Sequence, residues 1–112
     1  MNFLKRIFLL GTATALGLSS AQADHHLSVH YKGKDGPGKG KHVVLVSGDE
    51  EYRSEECLPM LGRILADHHG FDCTVLFSVN DKGEIDPNNQ KSVTNSKAMA
   101  SADLIIIALR FR

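Results

Sequence analysis

The chain is 112 residues long, with 13 basic and 13 acidic side chains, six histidines and no tryptophan. Once Lys5 and Arg6 are assigned to a leader, 11 basic residues face 13 acidic ones, a net charge of −2, and no basic stripe remains that would hold nucleic acid. Residues 41–112, the 72 available for a core, lie near the lower limit at which one domain is comfortably stable.

The first residues have the three zones of a secretory signal. Lys5 and Arg6 precede the apolar stretch Ile7 to Leu18, and Ala21-Gln22-Ala23 supplies small residues for cleavage after Ala23. A stretch of twelve residues falls short of the roughly 20 that span a bilayer, and no Cys follows it to carry a lipid, so no stable membrane anchor is expected. The expected location is secreted or periplasmic. Cleavage there would leave Asp24-His25-His26 at the terminus. The free amine, two backbone amides and the His26 ring could then surround Cu(II) in its preferred tetragonal arrangement, against the plainer reading of a flexible polar arm.

Residues 24–40 read as that arm, because Gly33, Gly36, Pro37, Gly38 and Gly40 oppose regular structure. Val43 to Val46 is the first predicted strand. Apolar spacing predicts a helix from about Ser54 to His69, with Cys57, Leu58, Leu61, Ile64 and Leu65 on its inner face and Ser54 as N-cap. Pro59 would move the regular helix toward Leu58, and Gly70 should stop it in the left-handed conformation. Cys73 to Phe77 and Leu104 to Leu109 are the second and third strands. Runs that are apolar at every position suit strands covered on both faces, as in parallel sheets, and a helical crossover requires parallel pairing. The expected class is therefore α/β, with strand order 2-1-3 for the part present.

Between the second and third strands the sequence predicts a turn at Asp86-Pro87-Asn88-Asn89 and a short helix around Lys97 to Ala100. A doubly wound sheet needs helices on both faces, and nothing after the third strand supplies the second layer, so the chain reads as the N-terminal piece of a larger domain. Cys57 and Cys73 fall at opposite ends of the helix, roughly 15 to 20 Å apart at 1.5 Å per residue. That separation excludes a disulfide. Both thiols read as small buried apolar groups.

The residues in Gly38–Glu56 (GKGKHVVLVSGDEEYRSEE), together with LPMLGRILADHHGF, CTVLF, IDPNNQ and ADLIIIALRFR, resemble the secreted bacterial branch of the ThuA-like, or trehalose-utilisation, family. The resemblance runs from Tyr31 to Arg112. It implies the class I glutamine amidotransferase-like fold, a flavodoxin-like α/β sandwich, and a role in sugar metabolism of the kind described as glycosyl hydrolase-like. Family domains are longer than this chain, in keeping with a domain truncated after the third strand.

Ligands of open α/β sheets sit beyond the carboxyl ends of the strands, which singles out the loop Asp49, Glu50, Glu51, Tyr52, Arg53. Glu55 and Glu56 are explained by the positive end of a helix dipole, but the carboxylates packed into the turn before them are not. Arg110 and Arg112 follow the third strand toward the same crevice. They could pair with the acidic loop or bind a hydroxylated or anionic ligand. His68-His69 are adjacent on a helix, diverge by about 100° and do not face one ion. Two functions stay open: a sugar-active hydrolase, or a non-catalytic carbohydrate-binding module on the same fold without a nucleophile. Neither needs a cofactor. The expected partner is a small sugar or derivative.

Overall fold

The computed structural model describes residues 27–110. They form an α/β domain with strands β1 (Val29–Tyr31), β2 (His42–Gly48), β3 (Asp72–Phe77) and β4 (Leu104–Leu109). One helix, α1 (Ser54–His69), and one 3₁₀ helix, Ser96–Ser101, complete the regular elements among the described residues. The sheet order is β1-β3-β2-β4. β2 pairs in parallel with β3, as the crossover through α1 requires, and in parallel with β4, which is reached through the long connection after β3, whereas β1 pairs antiparallel with β3, Val29 opposite Val75 and Tyr31 opposite Cys73.

The three predicted strands thus lie in the expected 2-1-3 order, β3-β2-β4, and the sheet differs in carrying a fourth strand, because part of the predicted arm is an antiparallel edge strand and the sheet is mixed. The rest of that segment is also structured. Lys34 N–H donates to the Ala66 carbonyl (3.0 Å) and Gly38 N–H to the His69 carbonyl (2.8 Å), while Gly33 N–H donates to Asp72 Oδ1 (2.8 Å). Lys34 also pairs with Asp67, and Lys32 with Asp72, each at 3.1 Å. Residues 32–41 therefore wrap the C-terminal end of α1 and satisfy carbonyls that a helix end leaves open. A β-carbon at Gly33 would overlap the Gly70 carbonyl, so glycine here serves close backbone approach instead of flexibility.

Each face of the sheet carries its own core. On the α1 face, Val43, Leu45, Cys73, Val75 and Phe77 pack with Leu58, Leu61 and Leu65 of the helix. On the other, Val44, Val46 and Leu76 are sealed by Val93, Ala98, Met99 and Ala102 from the connection between β3 and β4. Full burial of each Val or Leu contributes about 1.5–3 kcal/mol, so β2 and β3, buried on both faces, anchor the domain.

The helix begins at Ser54 despite Pro59, whose missing N–H leaves the Glu55 carbonyl without its helical donor. Its N-cap is Arg53, left-handed at φ 52° with no side-chain cap, and Ser54 does not cap as expected. At the other end Gly70 has φ 82°, and the N–H groups of Gly70 and Phe71 close on the Ala66 and Leu65 carbonyls. The buried stripe of α1 is Ser54, Leu58, Gly62 and Ala66, with Gly62 set beside the Tyr31 ring. This stripe is rotated away from the predicted one, leaving Cys57 and Ile64 exposed. Both cysteines are unpaired. β4 is an open edge of the sheet with Leu104 (54%) and Ile107 (62%) exposed, so its apolar run, unlike those of β2 and β3, lacks the second layer, as the sequence leads one to expect.

Candidate functional site

The loop after β2 is built around Ser54. This side chain is 2% exposed, and its hydroxyl accepts from the N–H groups of Gly48 (3.1 Å) and Asp49 (2.8 Å). It donates to the Asp49 carbonyl (3.1 Å) and lies 2.9 Å from Ser47 Oγ. Asp49 continues the turn, its Oδ1 accepting from the N–H groups of Glu51 (3.0 Å) and Tyr52 (3.3 Å) in an Asx turn. Asp49 is thereby a buried scaffold residue, although the sequence offered it as a ligand contact.

The turn aims Glu50 and Glu51 across the end of β2 at Arg110, which follows β4. The Arg110 guanidinium pairs with Glu51 and lies 3.9 Å from Glu50 Oε1. Of the two roles open to Arg110, ion pairing with the loop is the one the geometry displays. Tyr52, 77% exposed, and Arg53, paired with Glu56 one helical turn on, lie outside this cluster. Among the described residues, Glu55 Oε2 is a buried carboxylate oxygen with no hydrogen-bond partner.

Beside the Arg110 pair a cavity of about 60 Å³ opens between the carboxyl ends of the three parallel strands, lined by Gly48, Ser78, Leu109 and Arg110 with Asn89, Gln90 and Val93. The last three come from the connection after β3, which folds back over the strand ends. Thr94 clasps Phe77 through its N–H (2.9 Å) and its Oγ1 (3.0 Å), and the Asp86 N–H reaches the Ser78 carbonyl (2.9 Å). A turn from Asp86 to Asn89 (3.0 Å) then presents the two amide side chains. Asn89 and Gln90 also line a wide, open groove with Asp86, Asn88 and Lys91, so the cavity has a polar vestibule.

Ser78, Asn89 and Gln90 escape a reading confined to the segments after the first and third predicted strands. The signal was present, since IDPNNQ follows the carboxyl end of the neighbouring parallel strand and faces the same crevice. Ser78 is not primed as a nucleophile, because its hydroxyl donates to the Ser47 carbonyl (3.2 Å) and no base is set against it.

Asp24, His25, His26 and Arg112 lie outside the described residues, and with them the copper expectation. Among the described residues no cluster of three or more His, Cys, Asp or Glu side chains is placed to hold a metal ion. His42 is a structural bridge, with Nε2 2.8 Å from Thr74 Oγ1 and Nδ1 3.2 Å from Ser101 Oγ. Comparison of the chain with protein-family models, curated proteins and solved structures finds no match.

Proposed function

We propose that the chain is a secreted ThuA-like α/β protein whose crevice beyond β2, β3 and β4 binds a sugar or sugar derivative. The observation that carries this reading is the cavity itself, a recess at the carboxyl ends of parallel strands with hydroxyl, amide and guanidinium groups converging on apolar walls. Such a mixture suits a ligand with hydroxyls to bond and C–H faces to pack. Binding is favoured over turnover. Acid–base cleavage of a glycoside needs a pair of carboxylates placed about the scissile bond, whereas Glu50 and Glu51 are both directed at Arg110.

The test is titration of the chain with neutral mono- and disaccharides, followed by calorimetry, for the unaltered protein and for Asn89→Ala and Gln90→Ala. Gln90 is exposed and Asn89 gives up one bond, from the Lys91 N–H to its Oδ1 (2.8 Å), so their removal should weaken binding at least fivefold while lowering stability by no more than about 1 kcal/mol. Sugar binding that ignores both substitutions would place the ligand elsewhere. Secretion has its own check, since mass spectrometry of the exported protein should give a first residue of Asp24.

A further inference from the structure

Resting on the sugar reading, we infer that the cavity is selective for an uncharged, hydroxymethyl-sized arm of the ligand, the remainder lying in the open groove along Asp86–Lys91. Size comes first. About 60 Å³ exceeds the ~10–15 Å³ that one water needs and falls well short of the ~150 Å³ of a cavity that takes a benzene ring, so there is room for a CH₂OH group and too little for a sugar ring.

Charge decides the chemistry. Among the described residues Arg110 is the one cation lining the cavity, and its charge is already met by Glu51 with Glu50 beside it. An anionic group entering here would face two carboxylates and a guanidinium already neutralised, with no second cation among the described residues of the wall. A neutral hydroxyl meets no such opposition. It can accept from guanidinium N–H groups not turned to the carboxylates, donate to the free lone pair of Ser78 Oγ, or bond either amide. Val93 and Leu109 supply apolar wall for the methylene. The outer groove differs, since Lys91 and Asp86 are both there and open to solvent, so a charged group on the far end of the ligand is tolerated.

The experiment is a side-chain amide NMR titration of the labelled protein, following Asn89 and Gln90. Its probes are methyl hexopyranosides of gluco, manno and galacto configuration, the matching pentopyranosides that lack the hydroxymethyl, and the hexose 6-phosphates. At least one neutral hexoside should shift both amides, with its pentoside and its 6-phosphate each binding at least tenfold more weakly. In Glu51→Gln, which releases Arg110, the 6-phosphate should regain most of that loss. A 6-phosphate that binds the unaltered protein as tightly as the neutral hexoside would overturn the charge argument and leave the sugar site standing. Equal binding of the pentoside would overturn the size argument in the same way. If no sugar of any class shifts either amide, the sugar reading itself fails, and this inference with it.

Discussion

Ser54→Ala removes a single oxygen from the least conspicuous residue of the acidic segment. In the folded chain that oxygen holds the N–H groups of Gly48 and Asp49 and a contact with Ser47, all buried. Alanine fits the space but leaves the Asp49 N–H, and to a lesser degree the Gly48 N–H and the Ser47 hydroxyl, without a partner. The Asp49 carbonyl is spared because it keeps the Ser54 N–H at 3.0 Å. One to two orphaned buried groups at about 1–3 kcal/mol each, less about 0.5 kcal/mol for the better helix former, give a net loss of ~2–3 kcal/mol. For a domain of this size that is a fall in Tm of roughly 10–20 °C, at about 4–8 °C per kcal/mol. Far-UV circular dichroism in urea is the assay, since the chain has no tryptophan to report. Asp49→Asn is the control, because its Oδ1 can still accept from Glu51 and Tyr52, and it should cost under about 0.5 kcal/mol. A loss below 0.5 kcal/mol for Ser54→Ala would refute the idea that this hydroxyl builds the loop.

Much of the scaffold was legible because its signals are local. Apolar runs located β2, β3 and β4, and Gly70 marked the end of α1 through a conformational need that glycine alone meets cheaply. What escaped was tertiary. The glycines of residues 33–40 suggest a flexible arm, since composition does not reveal that Gly33 and Gly38 lie against Gly70 and Phe71. The helix faces its core through small residues, Gly62 and Ala66, which a search for large apolar spacing passes over, and so it was rotated too far toward Cys57 and Ile64. At the site, the carboxylates of Glu50 and Glu51 and the guanidinium of Arg110 were visible as charge at strand ends. Asp49 and Ser54 read as a contact residue and a cap, because nothing in their order says that both side chains turn inward to bond the loop. Asn89 and Gln90 come to the site only through a connection that bends back on Phe77 and Ser78, a path set by hydrogen bonds rather than by periodicity.

Gly33→Ala should destabilise by about 1–3 kcal/mol through overlap with the Gly70 carbonyl, whereas Gly83→Ala, which has open space at its β-carbon, should lose only what its φ of 78° demands; urea midpoints compare them. A thiol reagent at neutral pH should modify one cysteine of the native protein quickly, the exposed Cys57, and the second only on unfolding. Burial, and to a smaller extent the Asp72 charge, pushes the Cys73 thiol up to about 11. The last expectation concerns acid. The Gly33 N–H bond, followed by the Lys32 ammonium, holds the Asp72 carboxyl below its ordinary value, and the Lys34 ammonium does the same for Asp67. A depressed carboxyl stabilises the fold wherever it is ionised in both states, above the unfolded value of about 3.9, and that contribution is lost as pH falls through the lower folded value. The clasp of residues 32–41 on α1 should therefore loosen below about pH 4 while remaining intact from pH 5 to 7. Asp72→Asn mimics the protonated carboxyl, so the stability gap between it and the unaltered chain should be widest near pH 7 and narrow steadily toward pH 2.5. A gap that stays constant across that range would mean that the Asp72 charge contributes nothing, and that the clasp is held by its backbone hydrogen bonds to Ala66 and His69 and by the Lys34–Asp67 pair.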